Sequence, residues 1–222
     1  MFNTNIELIL KTLNSNLSYL FNKNTFYNKH FTKCLNLLNY LYHQDIHSNS
    51  NFTELDLNNE IFTKSIFIAN SNLIIDLYFN ITQLTQDYDN KPFNPDTSPI
   101  LSGRLDNLFK KYLIEYTPTP TFSNHHIYSN RVIFDTQFVS DYAYLLIIDG
   151  NHRLTAKFAK YKDCYIKIVY IQPEHIINYM PSKFEQCFFL LLFEIHNFTV
   201  TNVHNLNNSL IYKNFTNEYN LF

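Results

Sequence analysis

Residues 144–160 read YLLIIDGNHRLTAKFAK, and the rest of the chain is parsed outward from this stretch. Tyr144-Leu145-Leu146-Ile147-Ile148 is a short apolar run with β-branching at its end, which predicts a buried strand. Asp149-Gly150 closes it with a common turn dipeptide. Residues 151–160 then have helical character and offer Leu154, Ala156, Phe158 and Ala159 for packing. Tyr165–Ile171 (YIKIVYI) alternates enough to be a half-buried strand. Strand, tight turn, helix and strand in this order predict a βαβ-like unit.

Upstream the pattern is helical. Ile6, Leu8, Ile9, Leu10, Leu13, Leu17, Leu20 and Phe21 recur at helix-like spacing, and a second stretch from about Asn28 to Ile46 carries Phe31, Cys34, Leu35, Leu37, Leu38 and Leu41 on one face. A third lies between Glu60 and Thr85, where β-branching over Ile66–Tyr78 keeps a strand as the alternative. Pro92, Pro95 and Pro99 then break regular structure across Asp89–Gly103. A short helix is expected from Leu105 to about Tyr116, with a second break at Pro118 and Pro120. Beyond Pro173, helices are expected at about Glu174–Met180 and Ser182–His196, ahead of an Asn-rich tail. The expected fold class is therefore α+β. It comprises a helical accessory region over 1–90, a small mixed-sheet domain over 98–180, and a C-terminal helix and tail over 181–222.

Composition narrows the function classes. A chain of 222 residues can bury roughly 70% of its unfolded surface, and 45% hydrophobic content suits a globular protein. The excess of Asn, Ile, Tyr and Phe reads as the codon bias of an AT-rich genome. Formal net charge is −2, without the basic excess expected of a dedicated duplex-DNA binder. Cys34, Cys164 and Cys187 are scattered, as in reduced cytosolic thiols. No apolar run approaches the roughly 20 residues of a membrane span, and no secretion signal is evident. A soluble, cytoplasmic protein is expected.

The turn is where the chemistry concentrates. Glycine occurs only at Gly103 and Gly150, and arginine only at Arg104, Arg131 and Arg153. One of each falls within four residues, directly after the best strand. A glycine there implies positive φ or the close approach of a ligand. The first N–H groups of a helix lack intrahelical partners and lie at its positive pole, so a strand-Gly-helix junction is a ready anion site. Gly150 and Asn151 would supply backbone amides, Arg153 a guanidinium suited to phosphate, and His152 a further donor or an acid/base. Lys157, one turn on, extends the positive rim. Asp149 suits Mg²⁺ binding, orientation of His152 or general-base work. The structural alternative is that Asp149 caps the helix of an ordinary turn.

Other residues carry weaker signals. His43 and His47 stand at i, i+4, but without a third ligand they read as surface or packed histidines, and no metal site is expected. His125 and His126 read as loop residues. Arg104 and Arg131 could reach a second phosphate or form surface ion pairs. Phe188–Phe193 reads as core or as an interface with a partner subunit.

The stretch LLIIDGNHRLTAKFAKYKDCYIKIVYI resembles the signature of the ParB/sulfiredoxin-like superfamily. Asp149, Gly150, His152 and Arg153 match its D-G-x-H-R turn, and Ala156 falls where its helix carries a small residue. The resemblance covers about 30 residues. It implies that a nucleotide (ATP, ADP or CTP, with or without Mg²⁺) or another phosphate ligand binds at the turn. Known activities of the superfamily range from CTP-dependent clamping to sulfinic acid reduction, serine phosphorylation and nuclease action. Asn151 stands where sulfiredoxins carry their catalytic Cys, which removes that reaction, and no basic recognition helix follows residue 171. For the kinase-like reaction, Glu115, Asp135 and Asp149 are the candidate acidic residues. The leading expectation is a nucleotide-dependent phosphotransferase or hydrolase, with Asp149 and His152 as catalytic residues. The alternatives are a non-enzymatic DNA- or partner-binding regulator of a mobile element and a metal-dependent nuclease acting through Asp149.

Overall fold

Ile6, Ile9, Leu13, Leu17 and Phe21 recur every three or four residues, and in the computed structural model they form the buried stripe of helix α1, Ile6–Phe21. The structure describes residues 6–21, 25–47, 59–68, 71–96, 98–120, 133–139, 143–161, 164–200 and 209–219. Helix α2, Thr25–His47, packs against α1 and buries Phe31, Cys34, Leu37, Leu38 and Leu41 almost completely.

Between residues 60 and 85 the strand alternative prevails. Strands β1 (Ile61–Phe67) and β2 (Ile74–Asn80) pair antiparallel, with Ile61 opposite Asn80 and Phe67 opposite Ile74. The reason is visible in β2, where Ile75, Leu77 and Phe79 are buried at a period of two. Only after Asn80 does a helix begin, α3 at Ile81–Asn90.

Strand β3 (Ile100–Arg104), helix α4 (Leu105–Lys111) and the short strand β4 (Ile114–Glu115) follow. Helix α4 stops earlier than the expected Tyr116, because Tyr112 is already extended at φ −120°. Strands β5 (Ile133–Val139) and β6 (Ala143–Asp149), helix α5 (Asn151–Lys160) and strand β7 (Tyr165–Ile171) come next. Helix α6 (Pro173–Ile176) runs into a 3₁₀ turn at Ile177–Tyr179. Helix α7 (Lys183–Val200) and the short α8 (Leu210–Asn214) and α9 (Thr216–Tyr219) complete the order.

The larger sheet has the order β3-β7-β5-β6-β4. Strand β5 runs parallel to β7 and antiparallel to β6, so β6 and β7 point in opposite directions with β5 between them. This corrects the expected βαβ-like unit: the elements appear in the expected order, but helix α5 does not join two parallel neighbours. One face of the sheet carries Ile133, Ile147, Ile166 and Ile168, which pack with Leu105 and Leu108 of α4 and Leu154 of α5. Phe134, one residue along from Ile133, points to the other face and meets Tyr88 of α3 at 5.1 Å between ring centroids.

The chain divides into two units, Met1–Asn80 with Met180–Phe222, and Ile81–Tyr179. The sequence placed its boundaries at 90, 98 and 180; here the middle unit starts at Ile81, and the C-terminal helices belong to the same unit as the N-terminal ones. The class is mixed α and β. Among the described residues no helix is long and apolar enough to cross a membrane.

Candidate functional site

The strand β6 to helix α5 junction is built around Gly150, whose φ of 98° and ψ of 10° put it in the left-handed region. A Cβ there would lie 2.8 Å from Ile133 Cγ1 and 3.1 Å from Arg153 Nη2. The demand for glycine is thus met by the fold itself, through backbone conformation and the close approach of Ile133. Next to the turn the β5–β6 pairing slips: Phe134 faces Asp149 while Asp135 faces Ile147, leaving Ile148 as the extra residue of a bulge.

Gly150, not Asp149, holds the N-cap position of helix α5, and a glycine there offers no side-chain cap of its own. Arg153 Nη2 donates to Asp149 Oδ2 at 2.7 Å, folding the guanidinium back over the turn. Both side chains are mostly buried, at 13% and 10% exposure, so the pair is screened less than one on an open surface. Leu154 N donates to Gly150 O at 2.8 Å, the first regular helical bond.

Asn151 is occupied structurally. Thr117 N donates to its Oδ1 at 2.8 Å, and its Nδ2 donates to Ile147 O at 3.2 Å. Thr119 N donates likewise to Thr155 Oγ1, tying the segment after β4 to the first turns of α5. Lys157, expected on an open rim, is buried at 8% exposure. His152 is exposed in the first turn of α5. Of the residues expected to bind a phosphate, the junction therefore gathers Gly150, His152 and Arg153 with Asp149, while Asn151 and Lys157 belong largely to the packing.

Comparison with family models, curated proteins and solved structures finds no match for this chain. Its function is therefore argued from its own geometry.

The other candidates are dispersed. Arg104 is exposed at the end of β3, Glu115 is half-buried in β4, and His43 is exposed on α2. His125, His126 and Arg131, and the side chains of His47 and Asp135, lie outside the described residues. Phe188 and Phe189 are core residues of α7, and Phe188 stacks on Phe184. A cleft of about 180 Å³ lies at the C-terminal end of β7, lined by Phe93, Asn94, Ser98, Ile171, His175 and Tyr179. Burial and the neighbouring Asp87 push the Tyr179 hydroxyl up to about 12.

One cluster escaped the sequence reading entirely. In the unit formed by the chain ends, His30 Nε2 lies 2.9 Å from Glu194 Oε2, and Cys34 Sγ is 3.6 Å from the same nitrogen. His30 Nδ1 is 2.7 Å from Tyr212 Oη. All three of His30, Cys34 and Glu194 are buried. His30 and Cys34 at i, i+4 were a visible signal, but Glu194 comes from a helix 160 residues away, and a single sequence does not pair them.

Proposed function

We propose that the β6–α5 junction binds a phosphate group carried by a nucleotide, and that Ile81–Tyr179 is a ParB/sulfiredoxin-like domain. The observation that supports this best is the left-handed glycine turn at the N-terminus of α5, the positive pole of that helix, with Arg153 and the exposed His152 in its first turn. The D-G-x-H-R residues fall on a strand-to-helix turn, and Ala156 is fully buried in the helix that follows. Both features fit the resemblance read from the sequence.

The pairing of Arg153 with Asp149 makes the binding conditional. A phosphate at the amides would compete with Asp149 for the guanidinium, and it would face a carboxylate. Two unit charges about 4 Å apart repel by roughly 1 kcal/mol in water and about 4 kcal/mol at an effective dielectric near 20. A Mg²⁺ ion held by Asp149 and the phosphate together removes that repulsion and frees Arg153 to turn to the ligand. Asp149 would then serve the metal, and His152, exposed at the first turn, would be the proton donor or acceptor.

Isothermal titration of the full chain with ATP, ADP and CTP, with and without Mg²⁺, tests the reading. Binding that strengthens with Mg²⁺ and weakens at least tenfold in Arg153→Ala supports it. No binding by any of the three nucleotides sinks it.

A further inference from the structure

The buried cluster on helices α2 and α7 has no part in the phosphate site. From its geometry we infer that His30, Cys34 and Glu194 form a metal site for a zinc-type divalent ion. The helical repeat sets His30 and Cys34 one turn apart on the same face of α2, and Glu194 meets them from α7. The Nε2, Sγ and carboxylate oxygen that they offer all lie within 4.8 Å of one another. An ion about 2.0–2.3 Å from each donor holds tetrahedral ligands about 3.3–3.6 Å apart. The Nε2–Oε2 separation of 2.9 Å opens slightly to admit the ion, and the Nε2–Sγ separation of 3.6 Å already suits it. Cys34 Sγ also stands 4.0 Å from Nδ1, so the thiol lies beside the ring and swings toward the Nε2 lone pair when the ion enters.

The surroundings hold the ligands as a metal site requires. Metal-bound histidines usually have their second ring nitrogen fixed by a partner, and Tyr212 Oη stands at Nδ1. Glu194 Oε1 accepts from Ser209 Oγ at 2.6 Å and from Ile211 N at 3.0 Å, which leaves Oε2 for the centre. Cys187 is on α7, seven residues before Glu194 and so on the same face, and it is the candidate fourth ligand.

Charge and chemistry point to one class of ion. The Cys34 thiolate and the Glu194 carboxylate together balance a divalent cation, and Cys187 as a fourth ligand would add one negative charge. Cysteine binds such an ion as the thiolate, so binding releases a proton and affinity rises with pH. Sulfur, imidazole and a single carboxylate select zinc or a close relative over Mg²⁺ and Ca²⁺, which require oxygen cages. A site this enclosed is structural: it ties α2 to α7 and to the segment carrying Ser209 and Tyr212.

The test uses the full chain, purified without chelator and assayed for metal by mass spectrometry, then stripped and titrated with Co²⁺. The expected result is one equivalent of zinc, or uptake of Co²⁺ with a thiolate-to-cobalt charge-transfer band. The band should be lost in Cys34→Ser and kept in Cys164→Ser, whose thiol packs against the core of the other unit. Wild-type protein that carries no zinc and shows no such band would overturn the site, and would mean that protons alone hold this network together. A band that survives Cys34→Ser would overturn it too. The wild-type titration decides the matter even where a variant fails to fold.

Discussion

Replacing Gly150 with alanine isolates the strain on which the β6–α5 junction rests. At φ 98° an L-residue costs about 1–2 kcal/mol for the left-handed conformation. The added Cβ would also lie 2.8 Å from Ile133 Cγ1, inside any ordinary contact, and Ile133 is itself 1% exposed and cannot retreat to solvent. Overpacking of this kind costs about 1–3 kcal/mol, so Gly150→Ala should destabilise by about 2–5 kcal/mol in all. The second glycine supplies the control. A Cβ on Gly103 would meet only Leu108 side-chain carbons at 3.6 Å, so Gly103→Ala should fall within about 1 kcal/mol of wild type. Gly150→Asn separates the two contributions, because asparagine tolerates the left-handed region yet keeps the clash. Urea denaturation followed by circular dichroism gives the totals, and amide exchange over residues 151–160 locates the loss. If Gly150→Ala is no worse than Gly103→Ala, the strained junction described here does not exist.

Further outcomes follow from other parts of the molecule. Asn151→Ala should cost about 1–3 kcal/mol, because the Thr117 amide and the Ile147 carbonyl lose a buried partner; equilibrium denaturation measures it. Glu185 on α7 is fully buried, and burial pushes its carboxyl from 4.5 up to about 8, although Tyr78 N donates to it at 3.2 Å. The folded state then holds a proton that the unfolded chain releases, so its contribution is complete below about pH 4.5 and is lost as pH rises through about 8. Glu185→Gln should remove that fall, worth at most on the order of 4 kcal/mol, and melting curves at pH 5 and pH 8 will show whether it does.

The middle of the chain was the most legible part. Tyr165–Ile171 and residues 151–160 have in the structure the limits read from the sequence, because a buried strand and a helix following Asp-Gly each declare their period locally. The long β-branched stretch before Asn80 was harder, since a short run of buried side chains suits a helix or a strand until its pairing partner is known. Strand direction was invisible: β5 inserts between β6 and β7, and only tertiary pairing records that. At the junction, the scarcity of glycine and arginine singled out Gly150 and Arg153. The inward turn of Lys157 and the two hydrogen bonds of Asn151 depend on packing that no local pattern encodes. The same limit hid the His30, Cys34 and Glu194 cluster, whose members lie on two helices distant in sequence.

On the reading proposed above, the N-terminus of α5 and Arg153 receive a phosphate beside Asp149. Titration of the wild-type chain with Mg²⁺–ATP, Mg²⁺–ADP and Mg²⁺–CTP, each repeated with Asp149→Asn and Arg153→Ala, tests it most directly. Mg²⁺-dependent binding of at least one nucleotide is expected, weaker in Arg153→Ala and with its Mg²⁺ dependence reduced in Asp149→Asn. Heats indistinguishable from dilution for all three nucleotides, or equal affinity in wild type and Arg153→Ala, would contradict it.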